Sequence, residues 1–175
     1  INLSQDSFYE NDSESSTDMV ITKITDFINN GADIIDIGGV STKPGAKLPS
    51  LKEEINRVIP VLKTIRKKFP KILISIDTVR SKVAHEALQC GADIINDVSG
   101  GYFDEKIIDV ASVHKSPYIL THNIEKSINN DTIKSENTIK ELIRFFSSRI
   151  KDLRNQGIYD IIIDPGFGFS KQKEQ

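Results

Sequence analysis

The chain has 175 residues, of which 38% are hydrophobic and 27% charged, a balance typical of a globular protein and unlike a disordered or fibrous one. Its 23 lysines and arginines nearly match 25 aspartates and glutamates, so the net charge of -2 gives no electrostatic reason for a nucleic-acid partner. No apolar run approaches the roughly 18 residues that cross a bilayer, which excludes a spanning segment. The single cysteine cannot form an internal disulfide, so we expect a cytoplasmic protein, with an organelle as the alternative.

Helical and extended patterns alternate along the chain. Helical spacing of apolar residues predicts five helices, near residues 17–30, 51–68, 83–90, 107–111 and 139–153. Short apolar runs predict strands at 34–37, 72–76, 94–97, 117–120 and 161–163, and residues 1–3 resemble the end of a first strand. Ser50 and Glu53 form a capping-box pattern before the second helix, and Pro60 is expected to kink or break it.

One unit is used repeatedly. The segment Gly31-Ala32-Asp33-Ile34-Ile35-Asp36 recurs as Gly91-Ala92-Asp93-Ile94-Ile95-Asn96, and more loosely from Gly157 to Asp164. Most strands are continuous apolar runs, which indicates parallel strands buried on both faces. Every predicted strand ends in polar residues: Asn2, Asp36, Asp77, Asn96 with Asp97, His122, and Asp164. A barrel gathers all strand ends around one mouth, whereas an open doubly wound sheet does not.

We therefore predict an α/β fold of the TIM-type (β/α)8 barrel, truncated here to about six βα units of a barrel of about 250 residues. Residues 1–175 would form one partial domain, from the end of strand 1 to the loop after strand 6, with strands 7 and 8 missing.

Asp77, Asn96 and Asp164 are the first candidates for binding. Carboxylate and carboxamide oxygens with few cations suit a neutral heterocycle rich in N–H donors. The alternatives are that these side chains cap the helices that follow, or that their oxygens bind Mg²⁺. The loop 41–45 suits a phosphate or a substrate-covering segment, or is a structural turn. His122 is the histidine placed at a strand end.

Five motifs in order resemble dihydropteroate synthases, the sulfonamide targets of folate biosynthesis. They are Asn2 with Asp6-Ser7-Phe8, Ile35-Asp36-Ile37-Gly38-Gly39 with Ser41-Thr42-Lys43-Pro44-Gly45, Ser75-Ile76-Asp77-Thr78, Ile95-Asn96-Asp97-Val98-Ser99-Gly100, and Asp164-Pro165-Gly166-Phe167-Gly168-Phe169 with Lys171. The wider pterin-binding group includes corrinoid-linked methyltetrahydrofolate methyltransferases, which share the Asp and Asn strand ends. A methyltransferase domain and a non-catalytic pterin-binding protein are therefore alternatives to the synthase.

The resemblance implies a transferase that joins a dihydropterin methyl diphosphate to 4-aminobenzoate and releases pyrophosphate. It assigns pterin binding and catalysis to Asp77, Asn96 and Asp164, and it assigns Mg²⁺ and pyrophosphate binding to Asn2. The remaining substrate-binding residues that it implies are Ser7, Phe8, Thr42, Lys43, Phe169 and Lys171.

The resemblance also implies that a cationic part of the family's site follows Gln175, so we expect the chain as given to be unstable or inactive alone. It further suggests homodimerisation and fusion to other folate-pathway domains.

Overall fold

The computed structural model describes residues 1–3, 13–40, 48–122 and 138–167. The helices within these ranges are α1 (Ser13–Asn29), α2 (Leu51–Lys68), α3 (Ser81–Gln89), α4 (Lys106–His114) and α5 (Thr138–Asn155). The strands are β1 (Ile34–Gly38), β2 (Leu73–Asp77), β3 (Ile94–Asp97), β4 (Tyr118–Thr121) and β5 (Ile161–Asp164). The alternation of helices and strands predicted from hydrophobic spacing is confirmed.

The strands form one parallel sheet in the order β1-β2-β3-β4-β5. Asn2 makes a parallel bridge to Gly38, and Leu3 N–H donates to the Gly38 carbonyl at 2.7 Å, so residues 1–3 continue the sheet beyond β1. Each strand lies next to its successor, and the order never reverses as it does at the switch point of a doubly wound sheet. This order is that of a β/α barrel wall, so the predicted fold class is confirmed.

The helix α2 shows how local sequence positions a whole element. The Glu53 N–H donates to Ser50 Oγ at 3.3 Å, and the Ser50 N–H donates to Glu53 Oε2 at 2.7 Å, which is the expected capping box. The helix continues through Pro60 without ending. Its buried face carries Val58 and Leu62, both fully buried against the sheet.

Glycines end three of the helices in the repeated units. Gly31, Gly91 and Gly157 have φ values of 91°, 103° and 87°, a conformation that side chains with a Cβ rarely adopt. The chain can therefore leave each helix and enter the next strand within a few residues. The repeat seen in the sequence is thus a repeat of helix end, turn and strand.

Several apolar side chains of β5 and α5 are exposed. Ile162 and Ile163 of β5 are 42% and 49% exposed, and Ile139 and Ile143 of α5 are 73% and 60% exposed. Within the described ranges no strand other than β4 pairs with β5.

None of the helices in these same ranges is both long and apolar enough to span a membrane.

Candidate functional site

The strand ends bring the three predicted pterin-binding residues to one edge of the sheet. Gly38 lies opposite Asp77, and Asp77 lies opposite Asn96. Thr121 pairs with Asp164 at the end of β5. Since the carboxyl ends of parallel strands meet at one edge, Asp77, Asn96 and Asp164 share that edge.

Asp77 has a strongly perturbed carboxyl group. Burial is the largest cause and raises its pKa to about 7, and the negative charges of Asp36, Glu54 and Asp97 act in the same direction. Near neutral pH this side chain therefore exists both as a carboxylate that accepts hydrogen bonds and as an acid that donates one.

Asn96 has a buried side-chain carbonyl oxygen at the same edge of the sheet. Its Nδ2 donates to Asp36 Oδ1 at 3.2 Å, and Ser75 Oγ donates to the same oxygen. The Asn96 Oδ1 is buried and has no hydrogen-bond partner among the described residues. A buried carbonyl oxygen of this kind is normally satisfied, so its position suits an N–H donor from a ligand.

Asp164 is held by its own turn. Its Oδ1 accepts the Gly166 N–H at 2.8 Å, and Thr121 Oγ1 lies 3.5 Å from Oδ2. A carboxylate offers about four acceptor positions, so both oxygens keep the capacity to accept from a ligand.

Gly38 and Gly39 make room for this edge. A Cβ at Gly38 would lie 3.1 Å from Asp77 Oδ2, and a Cβ at Gly39 would lie 2.9 Å from Val58 Cγ2. The first glycine lets the Asp77 carboxyl lie close to β1, and the second lets α2 pack against the end of β1. The glycine pair therefore serves both the site and the packing beneath it.

Asp97, next to Asn96 in the chain, has a different role. It is fully buried, and its carboxylate accepts the N–H groups of Ser99 at 2.8 Å and Gly101 at 2.7 Å and the hydroxyl of Tyr118 at 2.7 Å. Burial, together with the Asp97 charge and hydrogen bond, raises the pKa of Tyr118. Asp97 thus holds the loop after β3 in place.

His122 packs against α5. Its side chain is buried, and its ring makes an edge contact with Phe145, with ring centroids 4.8 Å apart. The centroid of Phe146 lies 6.2 Å away. Its backbone N–H donates to the Asp164 carbonyl at 2.9 Å. The structure therefore gives His122 a packing contact with α5.

A buried charged network supports the end of β2. Glu54 on α2 is fully buried, and its carboxylate accepts from Thr78 Oγ1 at 2.6 Å and from an Arg80 guanidinium nitrogen at 2.5 Å. Arg80 also donates to the Pro49 carbonyl at 2.7 Å. The network ties the segment after Asp77 to the start of α2.

The full chain, residues 1–175, matches the family model described as pterin binding enzyme. The chain belongs to the pterin-binding enzymes. A dihydropteroate synthase from Synechocystis is 42% identical over 179 residues, a match that covers 100% of this chain and 61% of that protein.

Two solved structures of dihydropteroate synthases are also similar. One, from Clostridium difficile in the presence of pteroic acid, has a TM-score of 0.87 and 35% identity, and the match covers 99% of this chain and 65% of that one. The other, from Xanthomonas albilineans with 4-aminobenzoic acid, has a TM-score of 0.84 and 31% identity, covering 98% and 61%. The resemblance found from the motifs is confirmed, and this pterin-binding chain spans less than two thirds of these relatives.

Asn2 is the residue that the resemblance predicts to hold Mg²⁺. Its Nδ2 donates to the Val40 carbonyl at 2.7 Å, so only Oδ1 of this carboxamide is suited to a cation. In the parts of the chain that the structure covers, no group of three or more His, Cys, Asp or Glu side chains could hold a metal ion. One amide oxygen fits Mg²⁺, which often takes one or two protein oxygens beside substrate phosphates and water.

Six predicted substrate-binding residues lie outside the described residues: Ser7, Phe8, Thr42, Lys43, Phe169 and Lys171. Their roles in this pterin-binding enzyme stay predictions from the resemblance.

Two residues beside the site of this pterin-binding enzyme received no role in the site from the sequence. Asp36 was named only as a strand-end residue, although the repeat gives it the same place in its unit as Asn96. Glu54 was missed altogether. The sequence did contain a sign that Glu54 is buried. It stands four residues before Val58 and so shares the apolar face of the predicted helix.

Proposed function

We propose that this chain is the pterin-binding part of a dihydropteroate synthase. This transferase condenses 6-hydroxymethyl-7,8-dihydropterin diphosphate with 4-aminobenzoate to give 7,8-dihydropteroate and pyrophosphate. The observation that carries the proposal is the acceptor set at one edge of the sheet: Asp77, the Asn96 Oδ1 and Asp164. The names of its relatives support it, and two of them were solved in the presence of pteroic acid and with 4-aminobenzoic acid.

The acceptor set matches the polar edge of a reduced pterin. That ring carries an exocyclic amine and ring N–H groups, which need carbonyl or carboxylate partners once they leave water. Asp164 and the Asn96 Oδ1 supply such acceptors. Asp77, with its pKa near 7, also supplies a proton where the ring presents a nitrogen lone pair.

The carboxylates at this edge of the sheet also favour the condensation reaction. In the condensation the bond between the pterin methylene carbon and the diphosphate oxygen breaks, and both electrons leave with pyrophosphate. The aniline nitrogen forms the new bond to that carbon and then loses a proton. Positive charge develops on the pterin during the step, and the nearby carboxylates stabilise it while holding the ring in position.

We further propose that Asn2 holds Mg²⁺ through Oδ1, and that the metal when bound supplies positive charge to the leaving pyrophosphate. From the resemblance we place 4-aminobenzoate near Ser7, Phe8, Thr42 and Lys43, and the pterin beside Phe169. Lys171 is a further substrate-binding residue that the resemblance implies. Homodimerisation and fusion to further folate-pathway domains are predictions of the same resemblance, and a cytoplasmic location is the expectation from the single cysteine.

The test is an activity assay on the protein with any sequence that flanks residues 1–175 in its natural chain. The protein is supplied with Mg²⁺, the dihydropterin diphosphate and 4-aminobenzoate. The two products, pyrophosphate and dihydropteroate, are then measured in the same sample. We expect both products in equal amounts, and only when both substrates are present. Methyl transfer from methyltetrahydrofolate to a corrinoid protein, without pyrophosphate release, would contradict the proposal and support the methyltransferase.

Asn96→Ala is the matched variant for that assay. It removes the oxygen that we assign to the pterin, while the Asp97 side chain that holds the loop is left in place. We expect a loss of at least about tenfold in kcat/KM for the pterin substrate, because one acceptor for a buried N–H is gone. An unchanged kcat/KM would show that the site lies elsewhere.

A further inference from the structure

Asp36 is a conspicuous side chain at this edge that the predicted site left without a role. It lies on β1, one strand removed from Asn96 on β3, with β2 between them. Its Oδ1 nevertheless accepts from Asn96 Nδ2 at 3.2 Å and also from Ser75 Oγ. The contact therefore runs across the end of β2 and links three strands.

A carboxamide can present either its oxygen or its nitrogen to a ligand. A carboxylate only accepts hydrogen bonds, so the Asp36 oxygen selects the orientation in which the Asn96 nitrogen points to β1. The Asn96 oxygen is then left facing away from Asp36, buried and without a partner among the described residues. The opposite orientation would place two oxygens against each other.

Ser75 makes this arrangement more rigid. Its side chain is 1% exposed, and its hydroxyl donates to the oxygen that also accepts from Asn96. The pairing of Asp36 with Ser75 in the register of β1 and β2 places the two side chains side by side. Asp36 is thus held from one side while it orients Asn96 on the other.

We propose that Asp36 is a positioning residue, which fixes the Asn96 carboxamide so that its oxygen accepts an N–H of the bound pterin. This inference rests on the proposed function. Asp36 itself need not touch the ligand, because its effect reaches the pterin through the orientation of Asn96.

Two substitutions at position 36 separate orientation from charge. Asp36→Asn and Asp36→Ala both remove the negative charge that faces Asp77, together with its effect on that pKa. Only Asp36→Asn keeps an oxygen of the same shape that can accept from Asn96 Nδ2. The difference in affinity between these two variants therefore measures what an oxygen-bearing side chain of this shape contributes beyond the negative charge.

The measurement is the Kd for 6-hydroxymethylpterin by fluorescence quenching at pH 7.5, on the protein with any sequence that flanks residues 1–175 in its natural chain. A thermal unfolding curve is recorded for each variant. We expect Asp36→Ala to bind about tenfold more weakly than Asp36→Asn, the size expected for one misdirected buried acceptor. Asp33→Ala is the matched control, since Asp33 is exposed just before the opposite end of β1, and it should change the Kd by less than about twofold. Equal affinities of Asp36→Ala and Asp36→Asn would overturn the inference.

A swapped pair keeps the inference testable if Asp36→Ala fails to fold. Asn96→Asp alone sets two carboxylates against each other and should weaken binding strongly. In the double variant Asp36→Asn with Asn96→Asp, the amide at position 36 donates to the carboxylate at position 96, whose other oxygen again faces the ligand. We expect the double variant to bind at least about fivefold more tightly than Asn96→Asp alone. No recovery would contradict the orienting role.

The outcomes for the inference and for the proposed function are distinct. If the wild-type protein binds the pterin and the two variants Asp36→Ala and Asp36→Asn have the same Kd, only the positioning role is contradicted. Wild-type protein that binds no pterin contradicts the proposed function and the inference with it.

Discussion

Replacing Asp77 by asparagine should stabilise the folded protein at neutral and alkaline pH while weakening pterin binding. The pKa of Asp77 is raised from 3.8 to about 7, chiefly by burial. The folded protein therefore holds a proton that the unfolded chain releases between these two pH values. Stability consequently falls as the pH rises from about 4 to 7, and the loss is complete above 7.

The loss of folding free energy caused by ionising Asp77 follows from its pKa. Each unit of difference between the folded and unfolded pKa corresponds to about 1.4 kcal/mol, so the upper limit is about 4 kcal/mol. Partial contact of the side chain with water reduces it, and we expect about 2 kcal/mol. Asp77→Asn has the same shape without the charge, so it should gain this amount at pH 8.5 and almost nothing at pH 4.

Urea unfolding of wild type and Asp77→Asn at pH 4, 7 and 8.5 checks this expectation, with Asp33→Asn as the exposed control. The same substitution replaces one of the two carboxylate oxygens by an NH2 donor, so the Kd for 6-hydroxymethylpterin should rise at least about tenfold. A stability difference between wild type and Asp77→Asn that is the same at all three pH values would refute the argument from burial.

Three further substitutions test separate parts of the site. Gly38→Ala places a Cβ 3.1 Å from Asp77 Oδ2, so pterin affinity measured by fluorescence quenching should fall roughly tenfold; an unchanged Kd would show that the Asp77 position is not critical. Glu54→Gln leaves the Arg80 side chain, which is 17% exposed, without its carboxylate, and urea unfolding should report a loss of about 3 kcal/mol; a loss below about 0.5 kcal/mol would contradict a stabilising network. Lys43→Ala should raise the steady-state KM for 4-aminobenzoate while the pterin Kd stays constant, and equal effects on both would argue against a role confined to aminobenzoate.

Much of the fold could be predicted from local patterns. The glycine that ends each helix and the apolar run that follows it have direct local causes, so the repeated unit and the parallel sheet were found correctly. Pro60 shows the limit of such rules, because no break occurs at this residue and α2 continues past it while packing against the sheet. Tertiary contacts override local propensity there.

The site was harder to predict because its contacts join distant residues. Asn96 and Asp97 are both polar and adjacent, and only the structure shows that Asp97 holds the loop while the Asn96 oxygen has no described partner. Asp36 reaches Asn96 across 60 positions in the sequence, and Glu54 reaches Arg80 across 26. Such pairs depend on strand register and barrel curvature, which hydrophobic periodicity does not contain.

The most direct test of the central claim is a crystal structure of the protein with a dihydropterin bound. We expect the ring to lie at the carboxyl ends of β2, β3 and β5. Its N–H groups should donate to Asp77, Asp164 and the Asn96 Oδ1, while Asn96 Nδ2 stays on Asp36. A ring bound elsewhere, or an Asn96 that presents its nitrogen to the ligand, would contradict it.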